Sequence, residues 1–290
     1  MEFVELNIMK SIKDISYFPG CSLATSAREN NLSLIEVARH LGYNLVELED
    51  WNCCGSSSTH SIKGDLAFQL ACRNLSLCPS DRPLLVACPS CILRLKTAQL
   101  HLKNDPNLQR RYQDTWARPV DMDLEIIHYF ELLTRHFSSQ PQSSAPNTLK
   151  GLRFVPYYGC MLNRPPEMRH EKNYYGLVEK ILTYFSAESH TWPFSSRCCG
   201  TFLSVAKPAV VTPMVNRIMR GAIAAKADCV ITACAMCQLN LEIRCTLHDQ
   251  IPTFHFSEIL SMALGLGIRK SWLSSHLVDP RPMLKAKGFI

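Results

Sequence analysis

Apolar residues in this chain fall into short runs and helical stripes that occur in the same order twice. In the first half, Ile15–Phe18 reads as an extended segment that runs into Pro19-Gly20-Cys21. Leu32–Leu41 then carries apolar residues at helical spacing, and a short strand leads to Cys53-Cys54-Gly55. Asp65–Leu77 suits a helix packed on one side, and Pro83–Ala87 reads as a short buried strand that ends in a CxxC. In the second half, Leu152–Tyr158 runs into Gly159-Cys160, and Tyr174–Phe185 is helical. Cys198-Cys199-Gly200 follows a short strand, Pro208–Ala225 is helical, and Cys229–Ala233 is a strand ending in the second CxxC.

Strands alternating with helices predict an α/β fold. The repeat predicts two similar lobes, each with a small, mostly parallel sheet flanked by helices. Between them, Ser138–Asn147 is a polar Pro- and Ser-rich stretch unable to bury enough surface to fold alone. The expected layout is a first cysteine-rich lobe over 1–137, a linker over 138–150 and a second lobe over 151–278. The remaining residues, 279–290, form a C-terminal arm, read as extended because Asp279-Pro280-Arg281-Pro282 resists helix and strand alike.

Composition narrows the function classes. With 290 residues, 47% hydrophobic and 19% charged, the chain can bury a sizeable core. The net charge of +6 is spread thinly, without the basic runs or interleaved aromatics that grip nucleic acid, so no nucleic-acid partner is expected. The apolar stretch Ile259–Ile268 is about half of the ~20 residues needed to cross a bilayer, so no membrane span is expected. Met1–Asp14 lacks the sustained apolar segment of a secretory signal, and the expected location is cytoplasmic.

Fourteen cysteines then demand a chemical explanation. A secreted disulfide scaffold is the first alternative, but such scaffolds are short chains without a core of this size. In a reducing compartment so many thiols point to metal. Ten of them follow one plan twice: Cys21, Cys53-Cys54, Cys88 and Cys91, then Cys160, Cys198-Cys199, Cys234 and Cys237. Each falls at the end of an expected element, where loops after neighbouring parallel strands converge on one sheet edge. A glycine after each cysteine pair lets the backbone approach closely. Five thiols per site exceed the four of a zinc site or an ordinary four-iron cluster. The fifth is either a redox-active thiol or a bridging ligand in a cluster that departs from the cube. CxxC with two further thiols would also satisfy tetrahedral zinc, so zinc stays an alternative at one of the two sites.

The segments YFPGC, WNCCGSSSTH, ACPSC, SRCCG and CAMC, with the closing DPRPMLKAKG, resemble the heterodisulfide reductase B-subunit family over nearly the whole chain. The resemblance implies two noncubane four-iron four-sulfur clusters, one on Cys21, Cys53, Cys54, Cys88 and Cys91, the other on Cys160, Cys198, Cys199, Cys234 and Cys237. It implies an oxidoreductase that exchanges electrons with a small disulfide or thiol substrate. No CxxCxxCxxxCP run of the ferredoxin type is present, so the electron wire lies on a partner. The resemblance names that partner as a ferredoxin-like C-type subunit, beside a flavin-containing A-type subunit. The same repeat also occurs in succinate dehydrogenase E-type subunits, which pass electrons toward quinone, and that is the competing reading.

Outside the ten, Cys72, Cys78, Cys229 and Cys245 read as small buried hydrophobes. His60, shortly after the first CCG, is a candidate proton donor to a departing thiolate, against an ordinary solvated histidine. Arg197 and Lys207 could hold an anionic substrate or offset cluster charge, against plain surface solvation. Trp51 and Trp192, before each CCG, are expected to pack against the cysteine loops.

Overall fold

The computed structural model describes residues 12–57, 59–112, 115, 116, 118–137, 148–163 and 174–290. The expected linker core, 138–147, lies outside the described residues. In the first lobe the strands are β1 (Lys13–Phe18), β2 (Tyr43–Glu47), β3 (Leu84–Val86) and β4 (Ile126–His128). Its helices are α1 (Gly20–Ala24), α2 (Arg28–His40), α3 (Thr59–Ile62), α4 (Gly64–Ser76), α5 (Pro89–Asn104), α6 (Pro106–Tyr112) and α7 (Tyr129–Phe137). The second lobe has β5 (Arg153–Tyr157), β6 (Glu188–Ser189), β7 (Cys229–Thr232) and β8 (Thr253–His255). With them go α8 (Leu177–Tyr184), α9 (Pro208–Ala224), α10 (Ala235–Arg244), α11 (Phe256–Ala263), α12 (Lys270–Leu273) and α13 (Arg281–Ala286).

Both sheets have the same order, β2-β1-β3-β4 and β6-β5-β7-β8, and every strand pair is parallel. The central strands β3 and β7 are buried throughout, as a parallel sheet covered on both faces requires. In each order the chain leaves the first strand toward one edge and then returns to build toward the other. The ends of β1 and β3, and of β5 and β7, therefore open a crevice at a topological switch point. Four strand ends per lobe, on one edge, are the scaffold for whatever chemistry the chain performs.

The lobes are fused through apolar packing. One core cluster runs across both, joining Leu34 and Val37 of α2, Phe130 and Leu133 of α7, Val178 and Ile181 of α8, and Ile259 and Leu260 of α11. Helix α2 packs on α11 and α7 on α8, so the interface is itself close to two-fold symmetric. The outer faces keep separate cores under α4 and α5 in one lobe and under α9 and α10 in the other. Thr148 and Leu149, in the stretch read as linker, already belong to this body: Leu149 is fully buried, and Thr148 Oγ1 donates to the Ala263 carbonyl at 2.8 Å.

The C-terminal arm is not extended. Arg281–Ala286 forms α13, with Pro280 as N-cap and Pro282 in its first turn. Proline is tolerated there because the first helical N–H groups have no partner inside the helix to lose. Leu284 is fully buried, and Lys287 Nζ donates to the Gly151 carbonyl and pairs with Asp228, which fastens the arm to the second lobe.

Candidate metal and electron-transfer site

The strand ends deliver the cysteines. Cys21 lies in α1 directly after β1, and Cys53-Cys54 follow β2. Cys88 follows β3 as the N-cap of α5, which places Cys91 in the first helical turn. The second lobe repeats this: Cys160 follows β5, Cys198-Cys199 follow β6, and Cys234 caps α10 with Cys237 in its first turn. A CxxC wrapped around a helix N-terminus sets two sulfurs beside unpaired backbone N–H groups, which favours thiolate.

In the first lobe the five sulfurs form a continuous string of contacts. Cys21 and Cys53 are 3.9 Å apart and Cys54 and Cys91 are 3.2 Å apart, while Cys53–Cys54 and Cys88–Cys91 are also hydrogen-bonded. Two of the five, Cys53 and Cys88, are favoured as thiolates, and the other three hold the protons. Hydrogen bonds from Cys21 and Cys54 hold the Cys53 thiol low, and one from Cys91 lowers Cys88. The bonds to Cys53 push Cys21 and Cys54 up, and those to Cys54 and Cys88 push Cys91 up. Crowded thiolates repel, so the free set must share protons, and a bound cationic centre would release them. In the second lobe Cys199 and Cys237 are 3.5 Å apart, Cys237 also contacts Cys234, and the Gly200 N–H donates to Cys198 at 3.3 Å.

Backbone shape confirms the closeness of approach. Gly20 has φ +73°, and a Cβ there would lie 2.8 Å from Cys91 Sγ. Its counterpart Gly159 has φ +66°, with Cys237 Sγ 3.4 Å from the same position. Among the described residues no three His, Cys, Asp or Glu side chains gather around one point as a single ion requires. A soft, all-thiol set drawn out along a string instead suits a multi-iron sulfide group.

Elements that carry the two sites meet across the lobes. Helix α1, which carries Cys21, packs on α10 of the second lobe, and the 3₁₀ turn Met161–Asn163 after Cys160 packs on α5 of the first. His60 reaches across as well, its ring 6.4 Å from that of Phe202, which follows the second CCG. Its Nδ1 is shielded from water, beside the Ser56 and Ser57 backbone. Burial, and then the Arg94 charge, push its pKa down against hydrogen bonds with the Ser56 and Ser57 backbone.

Arg197 and Lys207 are exposed. What is fixed at Arg197 is its carbonyl, which accepts from Tyr157 OH at 2.5 Å, and Lys207 serves as N-cap residue of α9. The tryptophans pack as expected: Trp51 meets Phe18 edge-on at 5.3 Å, and Trp192 lies 6.2 Å from Tyr157 and donates to the Pro156 carbonyl. Cys72, Cys78, Cys229 and Cys245 are buried, and desolvation raises all four thiols. Sequence reasoning missed the residues behind the CxxC turns, His128 with Glu131 and His255 with Glu258. The signal was an H-x-x-E following a short apolar run in each half.

The model of the cysteine-rich CCG domain matches residues 15–96 and again 155–242. A Wolinella succinogenes protein named 8-methylmenaquinol:fumarate reductase membrane anchor subunit is 26% identical over 92% of this chain and 98% of its own. The B-type subunit of the ferredoxin/F420H2-dependent CoB-CoM heterodisulfide reductase of Methanosarcina acetivorans is 24% identical over 87% of this chain and 89% of its own. An Archaeoglobus profundus protein, named for its likeness to the heterodisulfide reductase B-type subunit, is 23% identical over 91% of this chain and 94% of its own. Among solved structures, a hypothetical protein from Helicobacter pylori shares the fold with a TM-score of 0.71 at 14% identity. The match covers 91% of this chain but spans only 52% of that one. Two matched copies covering more than half of the sequence, each built around one of the cysteine sites, make this chain a member of the CCG cysteine-rich domain family.

Proposed function

We propose that this chain is the iron–sulfur subunit of a heterodisulfide reductase-like complex, with one noncubane four-iron four-sulfur cluster in each lobe. The ligands are Cys21, Cys53, Cys54, Cys88 and Cys91 in the first lobe and Cys160, Cys198, Cys199, Cys234 and Cys237 in the second. The observation that carries the reading is the reciprocal packing of elements from the two sites, α1 on α10 and Met161–Asn163 on α5. Bound there, the clusters would supply one-electron chemistry, and two sites match a disulfide, which takes two electrons. The chain's own residues orient and shield. Trp51 and Trp192 exclude water behind the cysteine loops, and His60, between the lobes, stands where its ring, once protonated, could pass that proton to a departing thiolate. Arg197 and Lys207, both exposed, attract an anionic substrate to the second CCG. Electrons arrive through a ferredoxin-like C-type partner beside a flavin-containing A-type subunit, in the cytoplasm.

A second reading is favoured by a specific surface. Ile62 and Leu66 beside the first CCG, and Phe202, Leu203, Val205 and Val210 beside the second, are exposed, Val205 to 91% and Ile62 to 83%. Their segments meet where His60 touches Phe202. An apolar lip of this kind suits contact with a membrane surface and a quinone-linked role, in keeping with the menaquinol-linked relative. Among the described residues no helix is long and apolar enough to cross a membrane.

Metal analysis after anaerobic purification tests the common core of both readings. Roughly eight irons and little zinc are expected per chain, and one zinc with about four irons would sink the two-cluster claim. Paramagnetic resonance of Cys53→Ser and Cys198→Ser variants assigns each signal to a lobe. With the intact complex, disulfide- or thiol-induced changes in those signals support the first reading. Fast turnover of menaquinone analogues without such changes supports the second.

A further inference from the structure

The fourth strand end in each lobe carries no cysteine. It carries a fully buried histidine, His128 after Ile126-Ile127 and His255 after Thr253-Phe254. His128 Nε2 lies 3.0 Å from the Ala87 carbonyl, one residue before Cys88, and its Nδ1 accepts from the Phe130 N–H at 3.2 Å. An accepting Nδ1 leaves the ring proton on Nε2, so His128 donates to that carbonyl. His255 is likewise hydrogen-bonded to the backbone of Ala233, one residue before Cys234, while its own side chain accepts from the N–H of Glu258. Burial, the largest effect, lowers both pKa values, to about 4 for His128 and about 3 for His255, so both rings stay neutral.

Each histidine is held in turn by the glutamate three residues on. Glu131 accepts from the His128 N–H at 3.1 Å, and Glu258 from the His255 N–H at 2.9 Å. The opposite lobe completes both arrangements. Tyr174 of the second lobe donates to Glu131 at 2.6 Å. Ser33 of the first lobe sits 2.6 Å from Ser257 Oγ, which in turn lies 2.7 Å from His255 Nδ1. Asn30, also of the first lobe, donates to Gln238 at 2.6 Å, and Gln238 reaches Glu258.

We propose that His128 and His255 are positioning residues for the two CxxC turns, each clamped by the opposite lobe, so that either lobe sets the geometry of the other lobe's metal site. The placement of the two CxxC turns as metal ligands rests on the function proposed above, while the hydrogen-bonded clamp does not. Outer hydrogen bonds of this kind orient first ligands and tune a bound centre.

The test uses cross-lobe variants in the anaerobically purified chain. Tyr174→Phe, in the second lobe, is expected to shift the line shape and midpoint potential of the first-lobe signal and to leave the second-lobe signal unchanged. Ser33→Ala, in the first lobe, is expected to do the reverse. His128→Leu should disturb the first-lobe signal, and His128→Gln, which keeps a donor near the Nε2 position, should restore much of it. Signals unchanged by Tyr174→Phe and Ser33→Ala, or changed only in the variant's own lobe, overturn the proposal. A chain without iron would end the cluster reading, but the clamp then remains readable as alkylation of the CxxC thiols. Cys88 should react roughly threefold to tenfold faster in Tyr174→Phe than in the unmodified chain. Equal rates overturn the clamp as well.

Discussion

The two lobes share strand order, cysteine plan and the buried histidine behind each CxxC, yet they neutralise the supporting glutamate in different ways. In the first lobe Glu131 faces Lys96 at 3.8 Å, a side chain still 23% exposed, together with the Tyr174 hydroxyl. In the second lobe Glu258 faces His276, which bridges it to Glu242 at 3.0 and 3.1 Å with all three side chains almost wholly buried. Burial pushes the His276 pKa down, but the two carboxylates outweigh it and raise the value to about 10, so the ring is a buried cation. One lobe uses a cation that keeps contact with water, and the other seals its cation inside. The same geometric duty is thus performed at different electrostatic risk, because a sealed charge loses far more when its partner is removed.

The sharpest way to break the comparison is at the glycines before the first cysteines. Gly20→Ala should abolish the first-lobe resonance signal and lower iron content by about half. The new methyl would meet Cys91 Sγ at 2.8 Å in a left-handed backbone. Gly159→Ala, with 3.4 Å available, should retain a distorted second-lobe signal. Next in size, Glu258→Gln should destabilise the chain by about 3–5 kcal/mol in denaturant unfolding. Glu131→Gln should cost about 1–3 kcal/mol, since Lys96 can turn to solvent.

A pH series sharpens the same contrast. The His276 contribution is fully present below its unfolded value of 6.5 and is lost as pH rises through about 10. Stability should therefore decline from neutral pH toward pH 10, and the His276-dependent part of that slope should vanish in His276→Gln. The smallest expected difference is at the tryptophans. Trp192 is buried and its N–H is bonded to a backbone carbonyl, whereas the Trp51 N–H meets the side chain of Glu47 at an exposed site. Trp192→Phe should cost about 1–2 kcal/mol and Trp51→Phe under about 1 kcal/mol.

The sequence makes the central strands and the ten cysteines legible for a physical reason. Leu84-Leu85-Val86 and Cys229–Thr232 are apolar runs that must be covered on both faces, and each ends at once in a CxxC. The fourth strands are not legible because each has only three residues and ends on a histidine that looks polar in isolation. Their repeat is masked too, since 36 residues separate Cys91 from His128 but only 17 separate Cys237 from His255. The helix at 281–286 reads as extended from its prolines, whose positions at a helix start become evident only when the start is known. Contacts such as Tyr174–Glu131 depend on how the lobes dock, which periodicity within one lobe cannot express.

Burial of the sulfurs also bears on how the chain matures. Cys54, Cys91, Cys199, Cys234 and Cys237 are sealed within the fold, whereas Cys21 in one lobe and Cys198 in the other stand at the surface. An assembly factor delivering iron to the folded chain would find its first foothold at those two thiols. The same doorway admits oxygen to a protein caught between folding and loading, and in the first lobe it opens on Cys53, the half-buried neighbour of Cys21 whose thiol is held low, so damage there would begin at Cys53.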